Sequence, residues 1–402
     1  MVSRDKFFGT LEQSLAAYAF NICGVFAGTV VALYLGLFST REYPWVIAVY
    51  PGIISARGVI GGLLSGRLST GLHVGTVRPR FIRNTKSFYV LFKAVVVLTL
   101  ETSVAMSLVA VAFGVFFGGT KVTDLFTILG VITATMTLAL VVISPLTMTV
   151  SFISFKHGLD PDIILYPVES TVSDVLITLC YVSILSLYLS GTLGLYLIVL
   201  LCLILTISAL YFLYRNLRER EFVRTLKESF LTLIFVAFIV NVTGSVLGKI
   251  SEIIEGRREI YTAYPALIDT IGDVGAVIGS TATTKLALGT LKPSLSAIRN
   301  HVNEVIAAWT ASIIMFIIYS ALSLLIQGVF TLDAFIKFAT LLLTTNVLAA
   351  SLIVIISWAV SIITFQRGLD PDNFVIPIES SLADSITTIS LFIALALTGY
   401  LV

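Results

Sequence analysis

Charge is what this sequence has least of: Asp, Glu, Lys and Arg make up 12% of its 402 residues, about half the share of a soluble protein. With 57% hydrophobic residues and a mean hydropathy of +1.02, that scarcity excludes a soluble enzyme and makes lipid the solvent. Cysteine is also scarce. Cys23, Cys180 and Cys202 lie in apolar runs, with no CxxC pair and no Cys/His cluster of zinc spacing, so they read as small buried hydrophobes. A net charge of only +2 leaves no basic field for nucleic acid. The first ten residues carry Arg4, Asp5 and Lys6 and run into an apolar stretch without a small-residue cleavage site, which predicts an uncleaved cytosolic tail.

What the sequence has in abundance is apolar segments of spanning length, near 13–38, 44–66, 88–118, 123–155, 167–190, 192–214, 229–250, 262–284, 302–330, 334–364 and 377–402. The expected fold is therefore an all-α polytopic membrane protein of about eleven transmembrane helices. The second and eighth segments are rich in Gly and small polar residues, which predicts broken rather than continuous helices there.

Internal similarity accounts for the number. Pro51-Gly-Ile-Ile-Ser-Ala-Arg-Gly58 through Gly75-Thr-Val-Arg-Pro79 aligns without a gap on Pro265-Ala-Leu-Ile-Asp-Thr-Ile-Gly272 through Gly289-Thr-Leu-Lys-Pro293. Gly158-Leu-Asp-Pro-Asp162, with Pro167-Val-Glu-Ser170 and Asp174, recurs as Gly368-Leu-Asp-Pro-Asp372, with Pro377-Ile-Glu-Ser380 and Asp384. The chain thus reads as two copies of a five-span unit, 1–191 and 228–402. An odd unit joined directly would invert its second copy. The extra span in 192–227 restores the orientation and predicts two parallel repeats about an axis along the membrane normal. One loop face, including Arg78, Arg80, Arg83, Lys86, Arg215, Arg218, Arg220, Arg224, Lys292 and Arg299, carries about 17 basic residues against about 6 opposite. This predicts a plasma-membrane protein with its N-terminus cytosolic and its C-terminus outside.

A carboxylate at mid-bilayer costs about 2.5–3.5 kcal/mol to insert and needs a partner, a water-filled cavity or a cation. The candidates are Glu169 and Asp174, Asp269 and Asp273, Glu379 and Asp384, and Glu101. Asp269 and Asp273, four apart, share a helix face and are expected to open on the same space. Asp174 shares its face with Ser170, Thr171 and Thr178, and Asp384 with Ser380, Ser381, Thr387 and Thr388. If Pro265 and Pro377 mark helix ends, Asp273 lies about 12 Å deep and Asp384 about 10 Å deep. Carboxylates and hydroxyls without thiolate or imidazole suit a hard divalent cation, with Mg²⁺ the leading candidate. The competing reading pairs these acids with Arg57, Lys93 or interhelical hydroxyls. The counterpart of Glu101 in the second copy, Met315 by the same offset, is apolar, and Glu101 is read as a local partner of Arg57. Asp160-Pro161-Asp162 and Asp370-Pro371-Asp372 carry an N-cap signature; Asp160 and Asp370 would also ring the cytosolic mouth and concentrate cations.

At these residues the sequence resembles the MgtE-type divalent cation transporters, and in particular their tandem-repeat relatives in solute carrier family 41. The pattern PxLLxxxGN followed by SRLST resembles Pro51 through Gly58 with Gly66-Arg67-Leu-Ser-Thr70, and Pro265 through Gly272-Asp273; GLDPDNxxxPI followed by SLxD resembles Gly368 through Asn373, Pro377-Ile378 and Ser381 through Asp384. The resemblance implies a transporter in which the acid fourteen residues after the DP aspartate, here Asp174 and Asp384, lies on the ion pathway. It also implies that one chain supplies what two MgtE subunits supply, so that a monomer acts as a pseudo-dimer. Three departures stand out. Gly-Asn becomes Gly58-Val59 and Gly272-Asp273, with Arg57 beside the former; Glu169 and Glu379 replace small or neutral residues; and no segment is long enough for the cytosolic sensor and CBS domains.

The expected function is transport of a divalent metal cation between the repeats. Mg²⁺ is the substrate and the lipid bilayer the other partner. Na⁺ or H⁺ would be the coupling ion, and Arg57 an internal counter-charge. An organic-cation or lipid carrier is the alternative. An intramembrane aspartyl protease is weaker, because Asp273 follows Thr270-Ile-Gly272 rather than a GxG, and neither Asp174 nor Asp384 follows Tyr.

Overall fold

The computed structural model of the chain describes residues 2–22, 45–117, 121–230, 232–233, 236 and 258–399. The principal helices are α1 (Val2–Tyr18), α2 (Trp45–Val74), α3 (Lys86–Phe117), α4 (Leu125–Lys156), α5 (Pro161–Leu189), α6 (Thr192–Asn216), α7 (Arg258–Ala287), α8 (Val302–Ile326), α9 (Leu332–Gln366) and α10 (Val375–Thr398). A further helical stretch runs over 220–230. Among the described residues every regular element is helical, and seven helices, α3–α6 and α8–α10, are long and apolar enough to cross a membrane. Most of the expected spans 13–38 and 229–250, and Cys23, lie outside the described residues. The expected N-terminal tail is helical from Val2.

Two expectations about helix ends are corrected. α2 and α7 each run unbroken for 30 residues, because their small residues are contact surfaces rather than breaks. A Cβ on Gly62 would lie 2.7 Å from Ile376 Cγ2, and one on Gly279 2.2 Å from Val375 Cγ1, so α10 approaches both helices where side chains are missing. Pro265 lies inside α7 rather than at its end, which puts Asp273 halfway along the helix, about 22 Å from its start.

The repeated Gly-Leu-Asp-Pro-Asp motif builds a corner from local chemistry alone. Gly158 (φ 74°) and Gly368 (φ 71°) adopt the left-handed conformation that closes α4 and α9. The next amides bond back across the last turn, Leu159 N–H to Ser154 O at 3.0 Å and Leu369 N–H to Thr364 O at 3.0 Å. Asp160 and Asp370 then accept from the amides of Asp162 (3.0 Å) and Asp372 (3.2 Å), with Pro at the first turn of each new element. The capping expected from sequence is therefore present in both copies.

Four helices form the centre: α5 packs on α2 and α7, α10 packs on α7 and α2, and α2 touches α7. α3 and α4 flank one side and α8 and α9 the other, while α6 covers α3 and α4. The first helix of each sequence copy sits in the opposite half. Ala17 and Tyr18 of α1 are buried among Ala308, Ala311 and Met315 of α8, whereas Leu233 and Val236 join the core of α2–α5 and Phe222 packs on Val90 and Ala94 of α3. Many side-chain hydroxyls bond within their own helices, as Thr99, Ser103 and Ser107 donate to carbonyls four residues back at 2.8, 2.6 and 2.6 Å.

At the end of α7 that lies beside the loop 288–300, Lys285 Nζ donates to Glu304 Oε1 at 2.6 Å and contacts His301 Nδ1 at 3.0 Å, while His301 Nε2 meets Thr281 Oγ1 at 3.0 Å. Burial, reinforced by the Lys285 ammonium, lowers His301 to about 4. The unfolded chain therefore binds the extra proton between about 4 and 6.5, and stability present above that window is lost as pH falls through it. Thermal unfolding should show a lower Tm at pH 4.5 than at pH 7.5, and His301→Gln should flatten that dependence.

Candidate metal centre

Near the middle of each helix, α2, α5, α7 and α10 enclose a cavity of about 50 Å³ lined by Arg57 and Gly58, Ser170 and Asp174, Asp269 and Gly272, and Ser381 and Asp384. The volume exceeds the roughly 10–15 Å³ that one water requires, so a partly hydrated cation fits. The first-copy acids are already engaged. Arg57, which is 7% exposed, donates from Nη1 to Glu169 Oε1 at 3.2 Å and from Nη2 to Asp174 Oδ1. Ser173 Oγ donates to the same glutamate oxygen at 2.9 Å.

No arginine occupies the equivalent place in the second copy, where the counterpart of Arg57 is Ile271. Glu379 is 1% exposed and neither of its carboxylate oxygens has a hydrogen-bond partner among the described residues. It lies against Gly275 just as Glu169 lies against Gly61: added Cβ atoms would come within 2.4 Å and 2.6 Å of the respective Oε1 atoms. The repeated glycines therefore make room for the repeated glutamates, and only the counter-charge differs. Gly275→Ala is expected to push the Glu379 carboxyl out of its niche and reduce cation flux with the fold retained. Comparing size-exclusion profile and liposome uptake for that variant checks it.

Asp269 and Asp273 do not open on the same space. Asp269 lines the cavity, whereas Asp273 Oδ2 accepts from Asn21 Nδ2 at 2.7 Å and its Oδ1 has no partner among the described residues. Asn21 also donates to Thr270 Oγ1 at 3.1 Å and accepts from Thr171 Oγ1 at 2.6 Å, tying α7 to α5. Four-residue spacing sets a common face, but the neighbour across that face decides where each carboxyl turns. Glu101, expected beside Arg57, has no ion pair among the described residues; it sits on α3 and Arg57 turns inward to α5. Lys93 pairs with Asn216 at 3.2 Å rather than with an acid.

Asp160 and Asp370 lie at the other end of α5 and α10, beside the basic loops. Asp160 is pushed up to about 6 by burial and by neighbouring Asp162. Asp370 pairs with Arg67 Nη2 at 2.7 Å, on the wall of a larger cavity of about 290 Å³ that also includes Thr70, Glu221, Arg224 and Asp372. Glu228 is a buried acid that sequence reading missed. It accepts from Asn373 Nδ2 at 2.6 Å, from the Asp370 amide at 3.1 Å and from Arg224 at 2.7 Å. In the other copy Gln13 accepts from the Asp160 amide at 2.8 Å. The signal was present in the repeat of Thr10-Leu-Glu-Gln-Ser14 as Thr225-Leu-Lys-Glu-Ser229.

The mid-membrane set offers oxygen donors only, and taking carboxylates out of water costs several kcal/mol each unless a cation or proton compensates. Asp269 and Asp384 supply two formal negative charges beyond the Arg57–Asp174 pair. These acids are not drawn together tightly. Among the described residues the one place where three metal-binding groups come within 4.8 Å is His73 with Asp160 and Asp162. A spread set of carboxylates suits an ion that keeps part of its water shell.

A protein-family model described as MgtE, divalent cation transporter, matches residues 50–184 and 264–394. Solved structures similar over almost the whole chain include a MATE in complex with MaD3S (12% identity, 98% of this chain and 97% of that one, TM-score 0.45). Others are a MATE in complex with Br-NRF (11%, 99% and 97%, TM-score 0.46) and the eukaryotic MATE transporter AtDTX14 (11%, 98% and 96%, TM-score 0.36). Likeness at that level carries no argument here. No curated protein matches the sequence.

Proposed function

The chain belongs to the MgtE family of divalent cation transporters, and from that premise we propose that it carries Mg²⁺ through the cavity shared by α2, α5, α7 and α10. The observation that carries this reading is the asymmetry of the lining: Arg57 engages the first-copy acids, while Asp269 and Asp384 line the same cavity with no basic residue among their own copy's lining groups. Oxygen donors of charge two, with room for retained water, suit Mg²⁺.

In this proposal the chain has about eleven spans as two parallel five-helix repeats, with α6 as the linking span. It sits in the plasma membrane as a monomer acting as a pseudo-dimer, its N-terminus cytosolic and its C-terminus outside. Asp174, Asp269 and Asp384 contact the ion. Asp273, Glu169 and Glu379 set the surrounding field, and Asp160 and Asp370 draw cations to the cytosolic mouth. Arg57 stands in for the cation when the site empties, which favours a carrier over an open channel and leaves Glu379 to take the coupling proton or Na⁺.

Uptake into liposomes carrying the purified chain tests the substrate. Mg²⁺ flux, competed by Mn²⁺ or Ca²⁺ and indifferent to tetraalkylammonium, is expected. Flux of the organic cation without flux of any divalent ion would overturn the assignment in favour of an organic-cation carrier.

A further inference from the structure

We propose that His73, Asp160 and Asp162 form a second divalent-cation site, at the basic-loop end of α2 and α5 and separate from the mid-membrane acids, that takes a first-row transition ion in preference to Mg²⁺. The transport reading above uses Asp160 to draw cations to the cytosolic mouth but requires no ion bound there.

Four observations build the site. First, the three ligand atoms lie within 4.8 Å of one another. His73 Nε2 and Asp160 Oδ1 are 3.6 Å apart, too far for a hydrogen bond. That is the spacing of two atoms each about 2.1 Å from a common ion. Second, the imidazole is set up as a ligand. Nδ1 lies 3.0 Å from the Ser69 carbonyl oxygen, an acceptor only, so Nδ1 carries a proton and Nε2 is the nitrogen that a metal would take. A metal-binding histidine is ordinarily oriented in this way. The ring is held edge-on against Phe155, with centroids 5.7 Å apart.

Third, Asp162 is almost wholly buried, and its two oxygens divide their work. Oδ1 accepts from Ser69 Oγ and from Ser280 Oγ of α7, the latter at 2.7 Å. Oδ2 accepts no hydrogen bond among the described residues and faces the imidazole, 3.9 Å from His73 Nδ1. A carboxylate oxygen of a buried side chain that accepts no hydrogen bond calls for a positive partner. Fourth, the two copies differ at this point. In the second copy the counterpart of His73 is Ala287, and Asp370 has a guanidinium, Arg67 Nη2 at 2.7 Å. The first copy puts an imidazole where the second relies on an arginine. One nitrogen with carboxylates selects Mn²⁺, Co²⁺ or Zn²⁺ over Mg²⁺, which disfavours imidazole ligands.

Mn²⁺ bound to the detergent-purified full chain tests the site without reference to transport. Electron spin-echo envelope modulation should show ¹⁴N coupling from one imidazole. The coupling should persist in His157→Ala and His301→Ala and vanish in His73→Ala. Asp160→Asn keeps the helix cap but loses the charge, and should weaken the nitrogen-bearing Mn²⁺ site by more than about tenfold, the least that loss of an outer-shell partner costs. Mn²⁺ bound through oxygen alone, nitrogen coupling that survives His73→Ala, or unchanged affinity in Asp160→Asn would each overturn the proposal. The Asp160→Asn measurement stands by itself if His73→Ala does not fold. A chain that binds Mn²⁺ here yet moves no divalent ion would count against the transport reading alone.

Discussion

Asp384→Asn is expected to lower Mg²⁺ flux by roughly 30-fold to several thousandfold, the equivalent of about 2–5 kcal/mol for removing one member of a desolvated charge pair. The substitution keeps size and shape. It also keeps the bond from Thr388 Oγ1, which goes to the Asp384 backbone oxygen, so loss of flux would report the carboxylate rather than the packing. Asp174→Asn should cost less, because the Asp174 carboxylate is already neutralised by Arg57. Initial rates in liposomes, with protein incorporation measured for each variant, separate the two. Equal losses would mean that the halves are equivalent in transport and that the asymmetry around Arg57 has no functional weight. Unchanged flux in both variants would remove the cavity from the pathway.

The second large effect concerns the fold. Arg57→Met removes the base that two buried acids share, Glu169 at 3.2 Å through Nη1 and Asp174 through Nη2. Breaking a buried pair by deleting one partner costs about 3–5 kcal/mol, because the other charge remains desolvated. The expected result is a markedly less stable protein in the absence of divalent ions. Stability should return in the triple variant Arg57→Met, Glu169→Gln, Asp174→Asn, which removes the stranded charges with the base. Mg²⁺ should stabilise the single variant more than the wild type, since the first copy then resembles the second, which supplies no arginine of its own to Glu379 and Asp384. Thermal unfolding with and without Mg²⁺ gives all four comparisons. Additive, independent destabilisation by the three substitutions would rule out the coupling.

Much of the site was legible because its parts are repeated. The duplicated motifs picked out Glu169, Asp174, Glu379 and Asp384, and the structure puts Asp174, Asp269 and Asp384 around one cavity. Spacing failed at Asp273. A helix period says which residues share a face, but Asn21, from a helix more than two hundred residues away in sequence, holds that carboxyl apart from Asp269. It failed again at Glu101, where a repeat offset and an apolar counterpart suggested an ion pair although Arg57 turns to the acids of α5. His73 and Asp162 were passed over because neither stands out alone. Their meaning comes from the corner that brings the end of α2 beside the start of α5.

Sequence by itself determined those features that depend on short-range chemistry and bulk solvation. Scarce charge and long apolar runs made this a membrane protein; the glycine, aspartate and proline of each Gly-Leu-Asp-Pro-Asp motif made a capped corner; and two matched sets of motifs made two related halves. Only the tertiary structure decided which half each first helix enters, that Arg57 serves the first-copy acids, and that Glu379 has neither oxygen bonded among the described residues. Capping and hydropathy act within a few residues or on whole segments, so they are readable along the chain. The partner of a buried charge is set by which helices meet, and two copies of one motif acquire different electrostatics once a single arginine is placed between them.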